Sequence, residues 1–389
     1  MSRFYSHANT AKSIINLYKG EMPFSAFLKI FFAKEKKYGS GDRRSISSLC
    51  YNYFRLGSAI RNKSIDDRLL TSIFLCNHEL NELLKNEKPE WNGKIHLPVS
   101  EKLALTGIEA ETIFPFNNYL SKDIAIKAFN TSFLIQPDLF VRLRPGKQAA
   151  VKKKLEEAKI SFTEINETCF AFANGTRLEQ VIDINHGAVI QDLNSQRVGE
   201  LLQIAPPEKK ATVWDCCAAS GGKSIMAYDI LPQINLTVSD VRQSIIQNLH
   251  KRFREAGIKN YTAFIADLTS FKNLQEMLQY KKFDLIICDA PCSGSGTWSR
   301  TPEQLLFFNE NEIKRYSNLQ KSICTNTVPF LQKAGYFLYI TCSVFEQENE
   351  SIVEFLTHQF PLTLVKKKLL KGYEIKADTM FAALFQLKA

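Results

Sequence analysis

Asp289-Ala-Pro-Cys292 and Thr341-Cys342-Ser343 each set a thiol just past an apolar run that reads as a strand. A single cysteine at a strand end is best read as a small buried hydrophobe. Two of them, each beside its own turn and one three residues after an aspartate, point instead to chemistry. A thiolate can add to carbon 6 of a pyrimidine, which gives carbon 5 enamine character. Carbon 5 can then attack a methyl sulfonium, which the unactivated ring cannot. A carboxyl group at ring nitrogen 3 stabilises the charge that develops. The adduct must afterwards lose the carbon 5 proton and expel the thiol, steps that a second thiol can assist. A base inside a helix is out of reach, so the target is single-stranded or flipped out. The spacing alone does not say which cysteine attacks. Ser343-x-x-Glu346 fits a capping box and predicts a helix starting directly after Cys342. A helix N-terminus lowers a thiol pKa from about 8.5, an effect that Glu346, Glu348 and Glu350 would partly cancel. Pro291 fixes one backbone dihedral and stiffens the approach of Cys292.

Such chemistry needs a cofactor site. The stretch Asp215–Ser224, DCCAASGGKS, ends like a phosphate-binding loop, but Cys217 holds the place of that loop's first glycine. What remains is a glycine-rich turn between a strand and a helix N-terminus. Asp240 closes the next apolar run, where an acid can accept hydrogen bonds from ribose hydroxyls. Asp215, Asp240, Asp267 and Asp289 each finish one of five apolar runs. One aspartate at a turn means little; four in register mark the carboxyl ends of parallel strands, where ligands of open α/β sheets bind. No G-x-G-x-x-G follows the first run, which disfavours a nicotinamide dinucleotide.

The elements that position these groups are legible as three regions. Residues 1–130 carry three-and-four spaced apolar residues, as in SIINLYKGEMPFSAFLKIFFAKEKK, and predict an all-α domain; Asp42 is the candidate N-cap before RRSISSLCYNYFRLGSAI. Residues 131–190 read as a small α/β module: strands in FLIQPDLFVRLRP, SFTEI and CFAFANG, and a helix in AAVKKKLEEAKI. A helix and a Pro-Pro break then lead into the third region. Residues 191–389 alternate helices with the runs ATVWDCC, NLTVSD, YTAFIAD, KFDLIICDAPC and AGYFLYITCS, which predicts an α/β fold with a doubly wound parallel sheet.

Bulk properties narrow the class. With 389 residues, 45% hydrophobic and 23% charged, the chain has the composition of a soluble globular protein of two to three domains. No apolar run reaches the ~18 residues of a membrane span, and MSRFYSHANT lacks the apolar core of a signal peptide. A cytoplasmic protein is expected. The nine cysteines form neither a disulfide framework nor zinc-type spacing, so no metal is expected. The net charge of +10 favours a polyanionic partner.

DCCAASGGKS, DAPCSGSGTWSRTPE (Asp289–Glu303) and TCSVFEQENE (Thr341–Glu350) resemble three signature motifs of the RNA cytosine-5 methyltransferases that use S-adenosylmethionine. LQKSIC and the terminal ADTMFAALFQLK also resemble segments of that family, and DRRSISSLCYNYFRLG is similar to the NusB-like helical domain of its bacterial Fmu/Sun branch. The resemblance implies a helical RNA-binding domain at 1–130, an RRM-like module at 131–190 and a Rossmann-like methyltransferase domain at 191–389. It implies that Cys342 is the nucleophile, that Cys292 aids release and that Asp289 contacts the base and the cofactor region. It implies further that Cys217, Ala218, Ala219, Ser220, Gly221, Gly222 and Lys223, with Asp240 and Asp267, hold S-adenosylmethionine. The implied substrate is RNA, with 16S ribosomal RNA ahead of transfer RNA, and a monomer is expected. A non-catalytic RNA-binding or assembly factor on the same fold is the reading from another class, and the intact Cys292, Cys342, Asp289 and Asp240 argue against it. Two departures stand out. Ser220 replaces the family's proline, which implies a less rigid loop, and Ser299-Arg300 replaces a double arginine, which leaves Arg300 as the candidate RNA contact.

Overall fold

The computed structural model describes residues 3–204, 210–231 and 233–389. The expected break at Pro206-Pro207 lies outside the described residues. The chain divides into two compact units. One comprises residues 1–120, 124–137 and 297–310, the other residues 121–123, 138–296 and 311–389.

The first unit is helical. Its helices form because apolar residues recur every third or fourth position and bury one face: Phe24, Leu28 and Phe32 in Phe24–Lys34, and Ile46, Cys50 and Phe54 in Ser40–Arg55. Asp42 is not the N-cap of the second of these. Gly39 caps it from an extended conformation, and Asp42, in the first turn, reaches back to accept a hydrogen bond from the Gly39 N–H at 3.2 Å. Glycine offers no side-chain oxygen to the first-turn N–H groups, and the Asp42 carboxylate satisfies the Gly39 N–H instead. Segment 297–310 completes this unit. Phe307 meets Tyr18 edge-on at 5.1 Å, Trp298 packs against Phe114 at 5.6 Å, and buried Glu303 accepts from the Phe24 N–H at 3.2 Å.

The second unit holds two sheets among its described residues. Strands β1 (Leu139–Leu143), β2 (Thr163–Asn166), β3 (Cys169–Phe172) and β4 (Ala188–Ile190) form an antiparallel sheet in the order β2-β3-β1-β4. The helix Gln148–Glu157 covers it through Val151 and Leu155, one turn apart. The larger sheet runs β10-β11-β9-β8-β5-β6-β7, built from β5 (Thr212–Asp215), β6 (Asn235–Asp240), β7 (Tyr261–Ile265), β8 (Phe283–Asp289), β9 (Leu331–Thr341), β10 (Leu362–Leu370) and β11 (Met380–Leu387). The five expected strands, β5 to β9, are parallel; β10 and β11 add an antiparallel hairpin beside β9. Period-two alternation separates two cores. Val213, Leu285, Ile287 and Leu338 share one, while Trp214, Ile286, Cys288 and Phe337 share the other.

The chain winds outward from β5 through β6 to β7, then returns to place β8 on the other side of β5. Strand order therefore reverses between β5 and β8, and the crevice beyond their carboxyl ends is where such sheets bind ligands. Asp215 and Asp289 end those two strands.

Candidate active site

The loop after β5 is held by backbone bonds on both sides. The Cys216 N–H donates to Ile287 O at 2.9 Å, which extends the β5–β8 pairing, and the Ala218 N–H donates to Ser239 O at 2.9 Å. Gly221 caps the helix Gly222–Ile230 with φ +85°, and a Cβ there would lie 2.5 Å from the Phe253 ring, so only glycine fits. Ser220 is tied to a neighbouring helix. The Arg252 guanidinium donates to both the Ser220 carbonyl, at 3.0 Å, and its hydroxyl, at 2.6 Å. A side-chain tether thus does at position 220 what proline does by ring geometry.

Asp215 is fully buried and accepts from Ser224 Oγ at 2.6 Å through Oδ2, while Oδ1 has no partner among the described residues. Burial raises its carboxyl to about 7. Asp240 is 7% exposed and turned toward the same loop, accepting from the Ala219 N–H at 3.2 Å and from Arg242 Nε at 3.0 Å. Asp267 lies two residues past β7, exposed, in a turn that its Oδ1 closes by accepting from the Thr269 N–H and hydroxyl.

Lys223, in the first turn of the helix, is buried. Its Nζ lies 3.0 Å from Asp289 Oδ2 and 2.8 Å from Ser195 Oγ. This ion pair joins the cofactor loop to Asp289-Ala-Pro-Cys292. Three residues on, Cys292 Sγ stands 3.3 Å from Cys342 Sγ, both half-buried. The hydrogen bond with Cys342, and burial after it, push the Cys292 thiol well up. The structure thus pairs Lys223 with Asp289 and Cys292 with Cys342, the two pairs joined by the short stretch from Asp289 to Cys292. Arg300 belongs to the helical unit, where its N–H donates to Thr297 O.

No helix starts directly after Cys342, contrary to the expected capping box. Ser343 Oγ donates to Glu348 and accepts from the Phe345 N–H, a 3-10 turn follows at Glu346–Glu348, and the helix begins at Glu350. The buried Glu348 carboxylate takes the serine hydroxyl that a cap would need. Gly296, from the SGSG stretch, fixes the Cys342 backbone. Its N–H donates to Cys342 O at 2.9 Å and its carbonyl accepts from the Thr379 N–H at 2.9 Å. Sequence spacing also missed that Cys216, Cys217 and Cys288 bring their sulfurs within 4.8 Å of one another; burial pushes the Cys216 thiol up and keeps it protonated.

Comparison with known proteins now defines the class. Residues 202–385 match the family described as 16S rRNA methyltransferase RsmB/F. Ribosomal RNA small subunit methyltransferase B of Xanthomonas campestris pv. campestris is 31% identical over 169 residues, 42% of this chain and 37% of that protein. The protein of the same name from Pasteurella multocida is 29% identical over 232 residues, 57% of this chain and 51% of its own length. The match therefore spans about half or less of these relatives. In fold, the chain resembles the crystal structure of PH0851 over 99% of both chains, with TM-score 0.73 and 17% identity. It also resembles NSun6 from Pyrococcus horikoshii with SFG, an analogue of S-adenosylmethionine, over 67% of this chain and 94% of that one (TM-score 0.57, 13% identity).

S-adenosylmethionine is the cofactor of this class of domain. The residues after β5 and β6 fit it. Asp215 Oδ1 is an unpartnered buried acceptor at the head of the loop, a Cβ on Gly222 would meet nothing within 4 Å, and Asp240 presents a carboxylate at the next strand end. No described helix is long and apolar enough to cross a membrane.

Proposed function

We propose that this chain methylates carbon 5 of a cytidine in RNA, with 16S ribosomal RNA as the substrate, through attack of Cys342 on carbon 6. One observation carries the reading: two half-buried thiols 3.3 Å apart, one of them three residues after an aspartate ion-paired to the cofactor loop. Cys217 through Lys223, Asp240 and Asp267 hold S-adenosylmethionine, which supplies the methyl group as an electrophile. Lys223 orients Asp289 through Oδ2, and the Asp289 carboxyl group stabilises the charge that develops at ring nitrogen 3. The family resemblance assigns Cys342 Sγ to form the bond to carbon 6, and Cys292, whose thiol the shared hydrogen bond and burial push well up, stands beside it. Cys292, in hydrogen-bond contact with the departing sulfur, is placed to exchange a proton as that bond breaks. The net charge of +10 suits a polyanionic substrate.

Bisulfite sequencing of ribosomal and transfer RNA, from cells with and without this gene, tests the reading. A cytosine mark lost from 16S ribosomal RNA is expected. A mark lost from transfer RNA would reassign the substrate, and no lost mark in any RNA would overturn the activity.

A further inference from the structure

Both cysteines sit on loops that no helix caps, so something else must fix the distance between their sulfurs. The residue that follows each cysteine is bonded to one buried side chain. The Ser293 N–H donates to Glu348 Oε2 at 2.9 Å, and Ser343 Oγ donates to Glu348 Oε1 at 2.8 Å. Glu348 is fully buried. Its third partner, Gln320 Nε2, donates to Oε2 at 2.9 Å and also to the carbonyl of Pro291, the residue before Cys292, at 3.0 Å. The carbonyl of Glu348 is itself held by the Tyr339 hydroxyl at 2.7 Å. One carboxyl group therefore grips each loop just after its thiol, and through Gln320 it also reaches the residue before Cys292.

We propose that Glu348 is a positioning residue that sets the Cys292–Cys342 geometry for attack and release. This rests on the reading of Cys342 as nucleophile given above. A carboxylate suits the task because it accepts from two directions at once, and charge-assisted hydrogen bonds are about twice as strong as neutral ones. A glutamine of the same shape carries a donor at one of those two oxygens. It must face either the Ser293 N–H and Gln320 Nε2, both donors, or the Ser343 hydroxyl, which already accepts from the Phe345 N–H. The grip loosens on one loop whichever way the amide turns. Neighbouring Asn349 contributes from the other side. It accepts from Thr341 Oγ1 at 2.6 Å and donates to Ser343 O at 2.9 Å, which brackets Cys342. Asn349 holds one loop; Glu348 bridges both.

The test is Glu348→Gln in the full-length protein, with Glu348→Ala as a second variant. Glu348→Gln is expected to slow single-turnover methyl transfer about 10- to 100-fold, the scale of a misplaced reacting group. KM for RNA, cofactor affinity by calorimetry and the melting temperature are expected to stay near wild type. The rate at which hydrogen peroxide joins Cys292 to Cys342 reports their spacing directly, by the reaction of two thiols and one peroxide to one disulfide and two waters. That rate is expected to fall in both variants. Wild-type rates for both methyl transfer and disulfide formation in Glu348→Gln would overturn the proposal. Slow transfer fully accounted for by a loss of folded protein at the assay temperature would also overturn it, as a purely structural effect. If Cys342→Ala still methylates RNA, it is the reading of the site that fails, and the disulfide rates still report on Glu348.

Discussion

Cys292 Sγ and Cys342 Sγ lie 3.3 Å apart although 50 residues separate them in the chain. Each sits beyond the end of its own strand, and β8 and β9 are neighbours in the sheet, so parallel pairing delivers the two thiols to one place. The shared hydrogen bond, then burial, push the Cys292 thiol well up.

Cys342→Ala is expected to lower methyl transfer by on the order of 10³-fold or more, the scale seen when a nucleophile is removed. Its affinity for S-adenosylmethionine should stay within about two-fold, because no residue of the cofactor loop is bonded to Cys342 and a two-fold change is only about 0.4 kcal/mol. Cys292→Ala should instead trap RNA on the enzyme, visible as a shifted band on a denaturing gel under turnover conditions. A clean gel would count against the release role.

Asp240→Ala should weaken cofactor binding by about 10- to 100-fold, since hydrogen bonds to a charged group contribute about 1.5–3 kcal/mol. Isothermal titration of the purified protein measures it. Arg242, which donates to this carboxylate, is 58% exposed along its side chain and can turn outward to make way for ribose hydroxyls.

Gly296→Ala should destabilise the protein by about 1–3 kcal/mol, as overpacking does. An added Cβ would stand 2.0 Å from Thr379 O and 3.0 Å from Cys342 O. Because the backbone must shift at Cys342 itself, methyl transfer should fall further than the loss of folded protein explains. Urea titration alongside a single-turnover assay separates the two.

Asp215→Asn should raise stability at alkaline pH. The carboxyl titrates at about 7 in the folded protein against an ordinary value of 3.8, so the folded state holds the proton more tightly. Its contribution is complete below the lower value and is lost as pH rises through the higher one. The variant's advantage should therefore be absent near pH 4, grow toward pH 7 and level off at a few kcal/mol above it. Unfolding by urea at pH 5 and pH 8 checks the slope, and a pH-independent difference would contradict it.

The strands that carry the site were legible because each is a local pattern, a short apolar run, closed in four of the five by an aspartate. The hairpin of β10 and β11 was not, because Lys366, Lys367 and Lys368 interrupt the alternation at an exposed sheet edge. Contacts across the chain stayed hidden for a different reason. The pairs Lys223–Asp289 and Arg252–Ser220 join residues 66 and 32 positions apart, and nothing in local spacing marks them. Glu348 was masked by a plausible local alternative, since Ser343-x-x-Glu346 has the form of a cap while the serine bonds two residues further on.

Residues 297–310 belong to the helical unit, yet in sequence they sit between Cys292 and Cys342. The polypeptide that links the two cysteines therefore has its middle built into a different body, through Trp298 on Phe114 and Glu303 on the Phe24 backbone. A chain begun at residue 138 would bare Trp298 and Leu305, both 1% exposed in the intact protein, and should precipitate or lose activity where the full chain does not. The helical part is no detachable accessory. A graft that swaps the helical unit must therefore carry residues 297–310 with it.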